Sequence, residues 1–99
     1  MKIKDIQKAE AEATRRLNKH YRDNAYLCID KVVFNLGDCE EIIELEIRVG
    51  YKTEENKYVQ REINAFIDTE MYRTPNELAA VLLIRAIEVL DCVQFFEVK

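Results

Sequence analysis

Residues 41–51, EIIELEIRVGY, alternate more cleanly than any other stretch of the chain. Ile43, Leu45, Ile47, Val49 and Tyr51 fall on one parity, and Glu44, Glu46 and Arg48 on the other. A pleated backbone points successive side chains to opposite sides, so period two over this length predicts a β-strand with one buried face. The chain therefore folds around a sheet, and the flanking segments have to supply its neighbours.

Upstream, Tyr26 to Leu36 is rich in β-branched and aromatic residues and predicts a first strand. Leu36-Gly37-Asp38-Cys39 then predicts a tight hairpin turn, with glycine at the first central position of a type II′ geometry. That turn sets Lys31 across from Glu44 and directs Leu27, Ile29 and Val33 outward beside Ile42. Downstream, the polar run Thr53-Glu54-Glu55-Asn56-Lys57 leads to a third strand from Tyr58 to about Asp68, with Val59, Ile63, Ala65 and Ile67 inward. Charge selects the register of the second and third strands. Arg48 opposite Glu62 is favourable, whereas the neighbouring same-face register sets Glu46 against Glu62, a like-charge pair.

Two helices flank this meander. In residues 3–22, Ile3, Ile6, Ala9, Ala13, Leu17 and Tyr21 recur every three or four positions as one narrow apolar stripe. The stripe is mostly small, so this helix docks on a core that other elements build. Thr74-Pro75-Asn76-Glu77 places Thr at the N-cap, Pro at the first helical position and Glu at the third, a strong start signal. From Leu78 to Cys92 only Arg85, Glu88 and Asp91 are polar, which predicts a helix covered on more than one side. Val93 to Val98 is short, aromatic and β-rich, and reads as a final strand. The expected fold is one α+β domain over 1–99 in the order αβββαβ. It comprises a helix in 1–23, an antiparallel three-stranded meander in 26–68, a helix in 75–92 and a C-terminal strand in 93–98, with both helices packed on the sheet.

Composition narrows the functional classes. Hydrophobic residues make up 48% and charged residues 34%, the balance of a globular chain. Two Gly and one Pro leave no room for a glycine-rich phosphate loop. The longest near-apolar run, Leu78 to Ile84, is far shorter than the ~20 residues a membrane span needs, and no signal-type segment opens the chain. Cys28, Cys39 and Cys92 form no close pair, which fits a reducing, cytoplasmic setting. Combined with the single histidine, His20, they lack the paired ligand spacing of a structural zinc site. No cofactor is implied.

Residues 1–23 carry seven basic and four acidic side chains, whereas the remaining 76 carry eight basic and fifteen acidic: a basic helix on an acidic body. The ridge Arg15, Arg16, Lys19 and Arg22 invites a phosphate backbone. The acidic body repels one, no stacking aromatics interleave with the ridge, and pairs such as Glu12–Arg16 explain it as a solvated helix face. His20 reads as a cation at a helix C-terminus. The chain contains no Ser and no nucleophile elbow, and no Cys sits beside an activating base.

Glu44, Glu46 and Glu62 lie on one sheet face, as carboxylates do around a divalent cation. The order αβββαβ is similar to the core order of the restriction-endonuclease-like nucleases, which place an acid on the second strand and acid-x-Lys on the third. This chain departs from that pattern, since its third strand reads Glu62-Ile63-Asn64 without a lysine. The similarity covers element order alone.

The reading that best accounts for the residues is a non-enzymatic protein-interaction module that forms a homo-oligomer. An outer sheet face bearing Ile29, Val33, Ile42, Tyr58 and Phe66 is too apolar to be left to water. The alternative is a small acidic inhibitor or immunity-type protein presenting Glu40, Glu41, Glu44 and Glu46 to a basic partner. Further readings are a degenerate nuclease and a ring-forming assembly subunit of the kind that terminates phage tails.

Overall fold

A computed structural model of the chain describes residues 1–34 and 41–97, the last six of these as backbone. The elements are α1 (Ile3–His20), β1 (Ala25–Val33), β2 (Ile42–Lys52), β3 (Tyr58–Asp68) and α2 (Pro75–Glu97). The strands form one antiparallel sheet in the order β1-β2-β3. Both helices lie on the same side of it, with α1 along β1 and α2 against α1, β3 and β2. This is a two-layer α+β arrangement.

The alternation in β2 places its odd positions inward. Ile43, Leu45, Ile47, Val49 and Tyr51 are all buried, joined by Val59, Ile63, Ala65 and Ile67 of β3. The apolar stripe of α1 supplies Ile6, Ala9, Ala13 and Leu17. Its two alanines keep the helix close to its neighbours. In α2 the predicted start is present: the Glu77 amide donates to Thr74 Oγ1 at 3.2 Å, with Pro75 at the first helical position. Leu78, Ala79, Leu82, Ala86 and Leu90 form its buried stripe. The sheet and α1 cover two sides of α2, as expected for so apolar a helix, yet Ile84 on the third remains 56% exposed.

The β2–β3 register has Arg48 opposite Glu62. The β1–β2 register differs from expectation. Leu27 faces Val49 and Ile29 faces Ile47, then a bulge at Asp30 shifts the pairing so that Lys31 faces Glu46 and Val33 faces Glu44. Lys31 is thus not across from Glu44. A one-residue slip exchanges the faces of a strand. Leu27 and Ile29 accordingly turn inward, where apolar partners await them, while Val33 beyond the bulge points outward. The turn proposed around Gly37 and Asp38 lies outside the described residues.

The expected C-terminal strand is also corrected. Helix α2 continues through Glu97, so the described order is αβββα. Local β propensity in Val93, Phe95 and Phe96 yields to helix propagation, because no Gly or Pro interrupts the chain between Cys92 and Glu97. The similarity to the nuclease core order loses its last strand with this change.

Gly50 shows why a strand interior can require glycine. It lies between Tyr26 and Gln60 in one cross-strand row. The Tyr26 ring crosses over it, and its hydroxyl donates to Gln60 Oε1. A Cβ at position 50 would stand 2.6 Å from the Val59 carbonyl oxygen and 2.7 Å from Tyr26 Cζ. Gly50→Ala should therefore destabilise the fold by about 1–3 kcal/mol through overpacking, measured by urea denaturation; unchanged stability would show that the row relaxes freely.

Candidate functional site

With both helices on one side, the other face of the sheet is bare among the described residues. Its rows can be followed across the strands: Val33, Glu44 and Phe66; Lys31, Glu46 and Asn64; Cys28, Arg48 and Glu62; Tyr26, Gly50 and Gln60; then Lys52 with Tyr58, and Ile42 with Asp68. Tyr58 is 73% and Phe66 59% exposed, both on β3. Val33 and Ile42 are half-buried on the same face. Ile29 and Leu27, also expected there, instead pack in or against the core, for the register reason above.

The acidic side chains are dispersed. Glu41 is exposed just ahead of β2, Glu44 and Glu46 are half-buried on the bare face, and Glu40 lies outside the described residues. Lys31 stands opposite Glu46. Arg48 does not pair with Glu62 across the strand. It forms two hydrogen bonds with Asp30, at 2.6 and 2.9 Å, because the bulge swings that carboxylate over to it. The Arg48 guanidinium holds the Asp30 carboxyl below its ordinary range. Among the described residues no three His, Cys, Asp or Glu side chains converge as a metal site, and no helix is long and apolar enough to cross a membrane.

The two edges of the sheet differ sharply, and sequence reading did not find why. On β1, the Ala25 amide donates to Asn18 Oδ1 at 2.8 Å, the Leu27 carbonyl accepts from Thr14 Oγ1 at 2.8 Å, and the Ile29 amide donates to Glu10 Oε2 at 2.6 Å. Alternate backbone groups of an edge strand are thus satisfied by side chains four apart on α1. Those residues form a polar row beside the apolar stripe, and that row was the available signal.

Among the described residues the opposite edge has no such cover. The Lys52 amide bonds to the Asn24 carbonyl, whereas the Thr53 amide bonds to Lys57 and the Thr69 amide to Glu41. Even positions of β2 therefore bond to β1 and odd positions to β3. It follows that the even positions of β3, from Tyr58 to Phe66, direct their N–H and C=O groups away from the sheet. Among the described residues, the Arg61 guanidinium donates to one of these, the Gln60 carbonyl, at 2.7 Å.

At the end of the molecule where α1 stops, Arg22 and Asp23 adopt left-handed φ angles of 56° and 64° and reverse the chain. Beside them an open cleft of about 930 Å³ is lined by His20, Tyr21, Lys52, Lys57 and Tyr58, among others. Tyr21 stacks on Tyr51 with centroids 4.9 Å apart and donates from its hydroxyl to Asp91 at 2.8 Å. Burial, reinforced by that hydrogen bond and the Asp91 charge, pushes the Tyr21 phenol well above its ordinary pKa. Tyr21 thereby joins α1, β2 and α2 and is a structural tie. His20 stands edge-on to Tyr21 at 4.8 Å and is exposed, as a terminal helix residue would be.

No known family, curated protein or solved structure matches this chain.

Two outcomes test the electrostatic and edge geometry. Glu10→Ala removes the acceptor of the Ile29 amide, and should cost about 1–2 kcal/mol and accelerate exchange of that amide by roughly ten-fold in NMR hydrogen-exchange measurements. The Asp30 carboxyl, lowered in the folded state, contributes stability that is present above its ordinary pKa of 3.8 and is lost as pH falls below it. The difference in melting temperature between wild type and Asp30→Asn should therefore be present at neutral pH and close under acid; a pH-independent difference would contradict the pairing.

Proposed function

We propose that this chain is a non-enzymatic protein-interaction module that acts as a homo-oligomer through its bare sheet face. The observation that carries the reading is the pair of exposed aromatic side chains, Tyr58 and Phe66, on one face of one strand. In a two-layer domain the uncovered face of an antiparallel sheet is ordinarily polar, because every second residue there meets water. Here Val33 and Ile42 add to the aromatics, so the folded monomer retains apolar surface that association would remove from water. Ile3, Met71 and Ile84 are also exposed, but each lies on a different segment.

The acidic residues support a heteromeric partner less well. Asp30 is engaged by Arg48, and Lys31 stands across from Glu46, so the face is of mixed sign.

Sedimentation over a wide concentration range tests the proposal. The expected result is a species of at least twice the 11.7 kDa chain mass, held nearly unchanged between about 0.1 and 1 M salt because apolar contacts are not screened. Phe66→Lys should weaken the association by roughly ten-fold or more. A single 11.7 kDa species at every concentration refutes self-association. Binding only to a basic partner, lost in high salt, would move the acidic residues into first place.

A further inference from the structure

The geometry points to the mode of association: two copies join by antiparallel pairing of β3 with β3, in the register that sets Ile63 against itself on the two-fold axis. This rests on the self-association proposed above and places the contact at the β3 edge, beside the bare face and not over it.

The two edges of the sheet are treated in opposite ways. Natural sheets blunt their free edges with bulges, prolines, lysines or a covering element. β1 has a bulge at Asp30, a lysine at 31 and a cover of side chains from α1. β3 runs Tyr58–Asp68 in unbroken register with β2 and contains no proline and no lysine. Its even positions from Tyr58 to Phe66 direct outward backbone groups that, among the described residues, have no backbone partner, and Arg61 holds the Gln60 carbonyl. An edge of this length, left ready to pair beside one that is sealed, is the template for another strand.

Charge and overlap choose the occupant and the register. A two-fold axis through position 63 uses the whole of β3, because 63 is midway between 58 and 68. The edge-directed residues then form hydrogen-bonded pairs, Gln60 with the partner's Phe66 and Glu62 with the partner's Asn64, while Tyr58 lies across from the partner's Asp68, whose carbonyl the Met71 and Tyr72 amides already hold. The partner's Phe66 amide takes the Gln60 carbonyl that Arg61 holds in the single chain. Arg61 itself then lies across from the partner's Ala65, large against small. Tyr58 and the partner's Phe66 become diagonal neighbours within reach of aromatic side chains. Lys52, 5.8 Å over the Tyr58 ring, supplies a cation to the row in which the partner's Asp68 arrives. An axis at 62 sets Glu62 against Glu62, and an axis at 61 sets Arg61 against Arg61; like charges directly opposite disfavour both. The product is a continuous antiparallel sheet across both copies, with all four helices on one side and the two copies of α2 nearer the axis than those of α1, since the pairing preserves the faces.

Substitutions at the edge test this on the full chain. The amide of residue 64 faces outward, so Asn64→Pro removes no hydrogen bond of the single chain but breaks the intermolecular ladder. The expected result is loss of the dimer, with a dissociation constant raised at least about 100-fold, while circular dichroism remains that of the folded protein. A dimer that survives Asn64→Pro overturns edge pairing and leaves self-association through the sheet face standing; a wild type that never dimerises removes both. If Asn64→Pro does not fold, Asn64→Lys and Asn64→Glu decide. The first should tighten the dimer and the second weaken it, each by about five-fold, because position 64 meets the partner's Glu62 twice per dimer. No change in either direction refutes the register. Under mild oxidation, Ile63→Cys should form a disulfide between two copies at position 63, identified by peptide mapping, and Glu62→Cys should not. The reverse pattern overturns the axis at 63.

Discussion

Three side chains on α1 bond to three backbone groups on β1, and the rest of the arrangement follows from that seam. Glu10, Thr14 and Asn18 are spaced four apart, a rise of about 6 Å along a helix. Ile29, Leu27 and Ala25 are spaced two apart, a rise of about 6.6 Å along a strand. The two repeats are nearly commensurate, so an antiparallel helix can follow an edge strand and bond to each outward-facing group in turn. The helix is thereby held at the margin of the sheet, and the backbone polar groups it covers keep their partners.

A helix fixed at that margin leaves α2 the space between it and β3. The small residues Ala9 and Ala13 of α1 and Ala79 and Ala86 of α2 are fully buried, which lets the helices pack closely over three strands. Both apolar helix faces are then spent on one side of the sheet, and nothing among the described residues is left for the other. The bare face and the open β3 edge are consequences of the same seam: one helix seals one edge, and the second is drawn inward.

The outer face balances this with rows that are internally satisfied. Tyr26 crosses Gly50 to reach Gln60, and Asp30 leaves the ladder to reach Arg48. These rows settle the β1 half of the face. On the β3 half, Tyr58 has the Lys52 ammonium over its ring, yet it and Phe66 stay exposed, and the proposed association concentrates there.

The alternation in 41–51, the stripe of α1 and the Thr74-Pro75 start of α2 were legible in the sequence, because each is a local pattern that a backbone of fixed period turns into a buried face. The register of β2 and β3 was legible too, although the ion pair used to select it is not made: Arg48 turns to Asp30. The register of β1 was not legible. It depends on a bulge, and a bulge forms where two incompatible demands meet, here inward burial of Leu27 and Ile29 and outward placement of Val33. The C-terminal segment failed for a related reason, since local β propensity does not report a helix already propagating into it. Of the six residues expected on the outer face, Val33, Ile42, Tyr58 and Phe66 are found there, and Leu27 and Ile29 are not. The sequence alone determined which residues must leave water, because hydrophobic periodicity is a property of the chain. Only the tertiary structure decided which edge of the sheet is sealed and which is open, because that depends on where a helix comes to rest against backbone groups that no side-chain pattern displays.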